Sequence, residues 1–548
     1  MKYYPMAMHI HTCHQPGGSM EGHMYNAKKL GMQYIHFTDH DGRLGRKANE
    51  FSSFDFSLGA IEYSEPNVNK SMVGFESVGE CEISSEVGKI TARALGNGAE
   101  YTESGITLKS AGKRHTSSLL SDISIKLNLD FDIVGDAEFC IDITLSQRPP
   151  EYKMAHVKYV FSEPCEYSEL THYVKLEKAS DGIYTLNLSR DCEGCEEIGG
   201  LDNALSGISF LFKARNGARA SLEISKLEIE RIYDPQLVLD KQRILADKIG
   251  QKYGIKPFVT YEISHAGQHK NVYSSFVPII NYEQLGYSVT EEEAVLHVKK
   301  YGGVFGYNHP FENGKFNSVD GDRDVINSIV LDEAKRLSDL NVYGASVMEV
   351  GFFDGRGKFL RSDYFKLWDL LTLDGIFITG CGDSDSHYNS LGWFDGQNCC
   401  SYVAAPKELP FPVSEEVFNE SLKAGRVYFG DPVYINFPID FYSGKTLMGG
   451  ILTAKSEEDK KTLSFRADGV EKGYAIDVII NGEKTQRITV NSDADSNFDF
   501  ELSAPLPVNF ARIEIFNKDE RCILMTNPIY LVREDLFKKE IPSNRLYN

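Results

Sequence analysis

Long apolar runs and a secretion signal are both missing from this sequence of 548 residues. The first eight residues contain one lysine and no apolar run of signal-peptide length. No later stretch approaches the roughly 20 apolar residues that a membrane span needs. We therefore expect a protein that is made and kept in the cytoplasm and that has no membrane partner.

Positive charge is also scarce. The chain has 58 Lys and Arg residues against 79 Asp and Glu residues, which gives a formal net charge of −21. Nucleic-acid binding needs a basic surface that releases counterions, and no cluster here is long enough to supply one. The composition argues against nucleic acid as a partner, and an anionic substrate would have to be held by local cations.

Cysteine is too sparse for a disulfide framework. Ten cysteines, including the adjacent Cys399 and Cys400, show no disulfide spacing, and we expect reduced thiols. Cys192 and Cys195 form the one Cys-x-x-Cys pair that could bind zinc. No second such pair and no nearby histidine pair accompanies it, which favours a Gly-containing turn between strands.

The chain is long enough for about three domains, and its patterns change along its length. Residues 1–46 and 234–430 alternate strand and helix signals, which predicts an α/β barrel that is closed or nearly closed. Residues 47–233 contain many short alternating segments, which are typical of an inserted β-sandwich. Residues 431–548 are β-rich again, and the turn Asn481-Gly482 predicts a hairpin within a second β-sandwich.

The barrel elements can be placed from capping and periodicity. A strand at 8–12 is followed by a helix that Ser19 caps and Gly31 ends, and then by a strand at 33–37. Further helices are predicted at 235–253, 290–301, 322–337, 363–373 and 414–422, and further strands at 257–261, 304–307, 345–350 and 375–379.

Histidines are concentrated where these strands end. His9 and His11 lie two residues apart on a strand, so they point to the same side and can bind one metal ion. Such a pair is more often two ordinary half-buried histidines, and the rest of the chain decides between the two interpretations. Further candidate ligands lie in or beside the strand ends: His14, His40, Glu262, His265, His269, His309, Asp385 and His387.

Other potential donors are not expected to bind metal. His23 and His297 lie on predicted helices, and His36 lies inside a strand. Cys381 would place a thiolate among imidazoles and hard oxygen donors, which is an unfavourable combination. Imidazoles with a few carboxylates form the ligand set of zinc, manganese or iron(II), and a shared carboxylate holds two such ions close together.

Five motifs occur in order along the chain: His9-x-His11, Thr38-Asp39-His40-Asp41, Tyr261-Glu262-Ile263-Ser264, Asn308-His309-Pro310 and Asp383-Ser384-Asp385-Ser386-His387. Over roughly residues 1–45 and 234–430, this series resembles the PHP (polymerase and histidinol phosphatase) family of metallohydrolases. The β-rich insert and the C-terminal β-region, with Leu422-Lys423-Ala424-Gly425-Arg426-Val427-Tyr428 and Thr526-Asn527-Pro528-Ile529-Tyr530, resemble the CehA/McbA-like branch of that family.

The resemblance implies a distorted (β/α)7 barrel with two to three divalent ions, Zn, Mn or Fe, at its mouth. It assigns the first ion to His9, His11, Glu262 and Asp385. Glu262 would bridge to a second ion on His269 and His309, and His40 and His387 would hold a third. The loop after His11 departs from the family pattern, since Pro16-Gly17 replaces the usual ligand, and His14 is the substitute candidate.

We expect a phosphoesterase in which a metal-bridged hydroxide attacks a phosphodiester or phosphomonoester of a small or carbohydrate-linked substrate. Asp39 or His265 would protonate the departing oxygen or orient a ligand imidazole. Arg43 would either grip a phosphate or remain a solvated side chain.

Two other functions stay open. The same hydroxide attacks carbonyl groups, so one alternative is a carboxyl-ester or carbamate hydrolase. The other is a glycan-binding protein without catalysis. The inserted β-domain is expected either to recognise substrate, for example as a sugar-binding jelly roll, or to serve a structural or oligomer-forming role. The sequence leaves a homo-oligomer open.

Overall fold

A computed structural model of the chain provides the coordinates. It describes residues 1–12, 18–41, 49–55, 61–63, 72–73, 75–79, 81–86, 89–95, 98–108, 123–164, 166–232, 235–264, 266–282, 289–311, 322–352, 361–387 and 399–546. Within these ranges the protein is a strand-rich mixed α/β structure. None of the described helices combines the length and the apolar character that a membrane crossing needs.

Apart from the first and last strands, the predicted barrel elements are present within two or three residues of their expected bounds. The first strand spans Lys2–Ile10 instead of residues 8–12, so His11 lies just beyond its end. The helices of this region are α1 (Met20–Lys29), α3 (Pro235–Tyr253), α4 (Glu291–Lys300), α5 (Arg323–Asp339), α6 (Arg361–Leu373) and α7 (Glu415–Lys423), whereas α2 (Leu188–Cys192) lies in the inserted region. The strands of this region are β1 (Lys2–Ile10), β2 (Tyr34–His40), β17 (Lys256–Ile263), β18 (Lys270–Val272), β19 (Phe305–Tyr307), β20 (Val347–Phe352), β21 (Thr379–Asp383), β22 (Cys400–Ala405) and β23 (Val427–Gly430).

Capping explains why α1 begins and ends where the sequence predicts. The Ser19 hydroxyl accepts a hydrogen bond from the Gly22 amide at 3.1 Å, which satisfies a donor that the helix itself leaves unpaired. Gly31 follows the last turn with φ of 72°, a conformation that glycine adopts without a steric cost.

The barrel strands run in the order β21-β20-β19-β18-β17-β2-β1. The β1-β2-β17 and β19-β20-β21 neighbours are parallel, whereas β18 is antiparallel to both of its neighbours. The short strand β18 was not expected from the sequence. A purely parallel sheet of strand-helix units is therefore not what the described residues form.

The sheet does not close into a barrel within the described residues. Residues 2–6 of β1 pair with the antiparallel strand β22, so this edge of β1 is already occupied. Only the end of β1 is left to meet the other side of the sheet, through a single parallel bridge between Ile10 and Ser386. The His11 amide donates to the Ser386 carbonyl at 2.9 Å. The expectation of a closed or nearly closed barrel is therefore not confirmed within the described residues, where one bridge stands in place of a ladder.

The last barrel strand lies four residues later than predicted, at 379–383 instead of 375–379. This shift makes Asp383 the final residue of β21. It also brings residues 385–387 directly beside the end of β1, where Ser386 bridges to Ile10.

The inserted region forms two sheets around one apolar core. Within the described residues, eight strands make one sheet and six make the other, and the core between them includes Ile125, Ile141, Val157 and Phe210. The strands are β3 (Asn49–Asp55), β4 (Ile61–Tyr63), β5 (Met72–Val73), β6 (Phe75–Val78), β7 (Cys81–Glu86), β8 (Lys89–Leu95), β9 (Thr102–Leu108), β10 (Ile123–Val134), β11 (Ala137–Arg148), β12 (Lys153–Val160), β13 (Thr171–Lys175), β14 (Ile183–Asn187), β15 (Gly207–Ala214) and β16 (Arg219–Ile232).

A buried ionic contact joins the insert to α1. Arg148 lies at the end of β11 and donates to the Asp202 carbonyl at 2.7 Å and to the Glu21 carboxylate. Asp202 in turn accepts from the amides of Met20 and Glu21 at 2.8 and 3.0 Å, which caps the start of α1 from another part of the chain. We call Glu21, Arg148 and Asp202 the Arg148 network.

The C-terminal region continues the barrel sheet through β23, which pairs with β32 (Cys522–Thr526). The predicted hairpin is present: Asn481 and Gly482 have φ of 52° and 87°, as a two-residue turn of this type requires. The predicted domain boundaries remain predictions. The strands are β24 (Ile439–Ser443), β25 (Thr446–Leu447), β26 (Ile451–Ala454), β27 (Lys460–Ala467), β28 (Ala475–Ile480), β29 (Glu483–Thr489), β30 (Asn497–Ser503), β31 (Val508–Phe516), β32 (Cys522–Thr526) and β33 (Ile529–Arg533).

Candidate metal centre

Eight of the predicted ligands converge where the barrel strands end. His9 lies in β1 beside an irregularity in the pairing of β1 with β2, and such bulges can re-aim a side chain. The other donors lie at or just beyond the ends of β1, β2, β17, β19 and β21, or immediately before β18. We call this set the Glu262 cluster: His9, His11, His40, Glu262, His269, His309, Asp385 and His387.

Glu262 is fully buried and is surrounded by imidazoles. Its Oε1 atom lies 3.3 Å from His9 Nε2, 3.2 Å from His269 Nδ1 and 3.7 Å from His309 Nε2. Its Oε2 atom lies 2.5 Å from His40 Nδ1. The two oxygens therefore face different imidazoles, which is the arrangement that a shared ligand of two ions requires.

Asp385 is the second carboxylate that contacts the pair His9 and His11. Its Oδ1 atom lies 2.9 Å from His11 Nε2, 3.4 Å from His9 Nε2 and 3.5 Å from His387 Nδ1. The Nε2 atoms of His9 and His11 are 3.0 Å apart, so the two rings point to one place as their spacing predicts. The donor atoms of Asp385, His9 and His11 are thus close enough together to bind one ion.

The donor atoms form three overlapping groups, each compact enough to hold an ion. The groups are His9, His11 and Asp385; His11, His40 and His387; and His40, Glu262 and His269. His11 and His40 each belong to two groups. This differs in detail from the expected grouping, in which His40 was assigned only to a third ion. Overlap of this kind favours more than one ion at short separation.

The donor set fits divalent cations. It combines imidazole nitrogens with carboxylate oxygens, and no thiol belongs to these three groups of described residues. Glu262 Oε2 and Asp385 Oδ1 are buried, and no described residue donates to them in hydrogen-bond geometry, although imidazole nitrogens lie within 2.9 Å of both. Buried carboxylate oxygens placed in this way need a positive partner.

Glu349 is a buried carboxylate that the sequence reasoning did not single out. Its Oε1 lies 2.5 Å from His9 Nδ1, and its Oε2 accepts a hydrogen bond from the His309 amide at 2.7 Å. One side chain thus orients an imidazole on β1 and the backbone beyond β19. The signal was present in the sequence, since Glu349 is the only charged residue within the predicted strand at 345–350.

The backbone is strained at two of the candidate ligands. His309 has φ of 21° and Asp385 has φ of 47°, in the region that disfavours residues with a Cβ atom. Strain of this kind persists only where the surrounding contacts impose it, and it is common at functional sites. The hydrogen bond from the His309 amide to Glu349 is one such contact.

The electrostatics of the cluster favour ionised carboxylates. Burial alone would raise the pKa of Glu262, but the charges of His40 and His9 outweigh it and hold that pKa well below its usual range. Burial is likewise outweighed at Asp385 by His9 and His387, and its pKa is also well below the usual range. Both carboxylates are therefore in the form that binds cations.

The imidazoles of the cluster differ in the direction in which their pKa is shifted. Burial lowers the pKa of His11 well below its usual value, and the neighbouring His387 and His40 rings lower it further. At His309 the burial effect is outweighed by Glu262 and other carboxylates, which raise its pKa to about 9. A cation would displace the proton from such a site, since only the neutral imidazole is a ligand.

Asp39 is fixed by hydrogen bonds instead of facing open space. It accepts from the Thr12 amide and the Thr12 hydroxyl, both at 2.6 Å, and from Gln242 Nε2 at 3.0 Å. Of the two roles expected for Asp39, this environment favours orientation of a ligand imidazole, because Asp39 Oδ1 lies 3.9 Å from His11 Nδ1 and also fixes the next residue, Thr12. The neighbouring Asp41 accepts from the Ser264 amide at 2.8 Å, which fixes the end of β17.

Three predicted site residues, His14, Arg43 and His265, lie outside the described residues. The residues expected not to bind metal have other surroundings: His36 Nε2 lies 2.9 Å from the Thr260 hydroxyl, and His297 Nε2 lies 2.7 Å from the Pro278 carbonyl. Cys381 and the buried His23 belong to none of the donor groups among the described residues.

Comparison with known proteins gave structural likenesses only. No family model and no curated protein matches the chain. A two-domain protein from Bacteroides vulgatus ATCC 8482, described as containing a predicted PHP-like metal-dependent phosphoesterase, is similar over 53% of this chain and 79% of its own, with 14% identity and a TM-score of 0.28.

Two structures of a family 12 xyloglucanase from Bacillus licheniformis are also similar. The native enzyme covers 27% of this chain and 84% of its own, with 10% identity and a TM-score of 0.21. The complex with ligand covers 33% and 98%, with 10% identity and a TM-score of 0.22. TM-scores this low do not establish a shared fold, so the function is argued from the side chains of this chain.

Proposed function

We propose that this chain is a metal-dependent phosphoesterase that hydrolyses a phosphodiester or phosphomonoester of a small or carbohydrate-linked substrate. The assignment to the CehA/McbA-like branch of the PHP family, with its distorted (β/α)7 barrel, is part of the proposal. The observation that supports it is the convergence of six imidazoles on the buried carboxylates of Glu262 and Asp385 at the strand ends.

The members of the Glu262 cluster would hold the cations, with Glu262 as a ligand shared between two of them. Bound divalent cations would supply Lewis acidity and the positive charge that this acidic chain otherwise lacks. The three overlapping donor groups favour at least two ions close together, an arrangement suited to a phosphoryl group with several charged oxygens.

The protein side chains around the cluster would hold its geometry. Glu349 orients His9, and Asn308 Nδ2 donates to Glu262 Oε1 at 2.7 Å, which fixes the rotation of that carboxylate. Partners of this kind keep a ligand in the correct orientation. Asp39 fixes Thr12, the residue after His11, in the same way.

The approach of substrate follows from the exposure of the cluster. His9, His11 and Glu262 are fully buried, whereas the side chains of His269 and His387 are 32% and 24% exposed. The open side therefore lies at His269 and His387, where water and a phosphate ester could enter. In this proposal His265 protonates the leaving group and Arg43 binds the phosphate.

The test is hydrolysis by the purified full chain after chelation and addition of Mn²⁺ or Zn²⁺. We expect turnover of p-nitrophenyl phosphate or bis-p-nitrophenyl phosphate that depends on the added metal and is lost in the His9→Ala variant. Elemental analysis of the same samples gives the number and kind of ions. Phosphate-ester turnover that a chelator leaves unchanged would contradict the proposal.

Two further assays separate the alternatives. Metal-dependent turnover of p-nitrophenyl acetate without turnover of either phosphate ester would identify a carboxyl-ester hydrolase on the same site. Metal binding without turnover of any ester, together with glycan binding that persists in His9→Ala, would identify a non-catalytic binding protein. Either result would overturn the phosphoesterase assignment.

A further inference from the structure

A second group of donors lies in the inserted β-domain. His172 on β13 and Cys195 and Glu197 on the turn after α2 have donor atoms that all lie within 4.8 Å of one another. His172 Nδ1 is 3.9 Å from Glu197 Oε1. We call these three residues the His172 cluster. Cys192, the other thiol of the Cys-x-x-Cys pair, is buried in the domain core and is not a member.

The two backbone segments that carry the cluster are fixed independently of each other. His172 lies opposite Val157 in the parallel pairing of β13 with β12. On the turn, the Cys195 amide donates to the Cys192 carbonyl at 3.1 Å, and the Gly200 amide donates to the Cys195 carbonyl at 2.9 Å. The backbone on each side of the cluster is thus fixed by hydrogen bonds that do not involve the donor atoms.

The chemistry of the three donors selects a class of cation. A thiolate, an imidazole and a carboxylate suit borderline cations such as Zn²⁺, whereas Mg²⁺ and Ca²⁺ prefer oxygen ligands alone. The spacing is slightly wider than that of a closed site, so small side-chain movements would complete it. Three protein ligands leave a fourth position for water.

We propose that His172, Cys195 and Glu197 form a zinc-class metal site that is separate from the Glu262 cluster and joins the Cys195 turn to β13. The turn already contacts the barrel through an ion pair between Glu196 and Lys248 of α3, whose Oε1 and Nζ atoms are 2.7 Å apart. A bound ion would add a second attachment, on the insert side. The proposal does not depend on the activity of the Glu262 cluster.

Cobalt provides a test that distinguishes the two sites. Co²⁺ takes the same ligand types as Zn²⁺, and a cysteine thiolate bound to it gives a charge-transfer band in the near ultraviolet, which imidazole and carboxylate ligands do not. The three donor groups at the Glu262 cluster contain no thiol. We expect Co²⁺ added to the chelated full chain to give this band, and we expect Cys195→Ser to abolish it.

Matched variants control for the other thiols. The band should persist in Cys81→Ser, which removes a partly buried thiol elsewhere in the same domain, and in Cys13→Ser and Cys165→Ser, whose positions lie outside the described residues. It should also persist in His9→Ala, which disables the Glu262 cluster. A persistent band in that variant separates this site from the proposed enzyme activity.

A wild-type chain that binds Co²⁺ without a thiolate band would overturn the proposal, as would a band that survives Cys195→Ser or disappears in Cys13→Ser. If Cys195→Ser does not fold, His172→Gln serves in its place. That variant keeps every thiol and should lower the affinity for the Co²⁺ ion that gives the band at least about tenfold. An unchanged titration curve in His172→Gln would likewise contradict the assignment.

Discussion

The Arg148 network and the Glu262 cluster both bury carboxylates, but they balance the negative charge by different means. In the Arg148 network a guanidinium, which is always charged, lies between Glu21 and Asp202. In the Glu262 cluster the neighbours of the carboxylates are imidazoles, which exchange protons and can become neutral ligands.

This difference separates a structural site from a metal site. The Arg148 network contains its own permanent cation and joins α1 to the insert, so it is complete without any added group. The Glu262 cluster lacks a permanent cation among its described members, and no described residue donates a hydrogen bond to the buried oxygens Glu262 Oε2 and Asp385 Oδ1. Changes to the first should therefore alter stability, and changes to the second should alter metal binding and turnover.

The largest expected effect is that of Glu262→Gln. Loss of a carboxylate shared by two metal positions should lower kcat/KM for a phosphate ester by more than about 1,000-fold, beyond the 10- to 100-fold typical of residues that only orient a ligand. Elemental analysis should show a reduced metal content. The control is Glu415→Gln, a buried glutamate that accepts hydrogen bonds from Ser275 and should keep its full metal content.

Arg148→Met should affect stability and leave metal binding and turnover intact. The change leaves Glu21 and Asp202 without their buried cation and should lower the free energy of unfolding by about 3 kcal/mol or more at pH 7, measured in urea. Metal content and turnover of the folded protein should be unchanged. Arg190→Met, at an arginine whose side chain is 72% exposed, should cost about 1 kcal/mol at most. Equal losses in the two variants would contradict a buried network.

The sequence predicted the positions of most barrel elements closely, but it placed the last strand four residues too early. Capping by Ser19 and periodicity in residues 235–253 placed the helices because these signals are local. Gly380-Cys381-Gly382 resembles a loop, yet it is the middle of β21. A Cβ atom at Gly380 would lie 2.7 Å from the Trp368 ring, so these glycines are needed for close packing within a strand.

The sequence also identified most of the candidate site, because polar residues at strand ends stand out from apolar strands. It could not determine which donors share a group, since the contacts of His40 with Glu262 and of His11 with Asp385 join distant parts of the chain. Glu349 was missed for the same reason, as its partners His9 and His309 lie in β1 and just beyond β19.

A smaller effect is expected for Glu349→Gln. The neutral amide can still accept from the His309 amide, but it holds His9 Nδ1 less strongly than a carboxylate does. Metal affinity and kcat/KM should each fall about 10- to 100-fold, and high metal concentration should restore much of the activity. Glu333→Gln, at a buried glutamate paired with Arg336, should change stability without changing the metal titration. Loss of turnover that excess metal does not restore would show that Glu349 acts otherwise.

The smallest effect should come from Glu21→Gln, which keeps Arg148 paired with Asp202. Burial alone would raise the pKa of Glu21, but Arg148 and Lys252 outweigh it and lower that pKa below its usual 4.5. A carboxyl group with a lowered folded-state pKa stabilises fully above its unfolded pKa, and this contribution is lost as the pH falls through the folded-state value. The variant should therefore be about 1–2 kcal/mol less stable than the wild type at pH 7, between the values of exposed and buried pairs.

The difference should shrink as the pH is lowered below about 4.5 in urea unfolding experiments. A difference that stays constant over this range would show that Glu21 contributes through packing, and the Arg148 network would then be a pair instead of a triad.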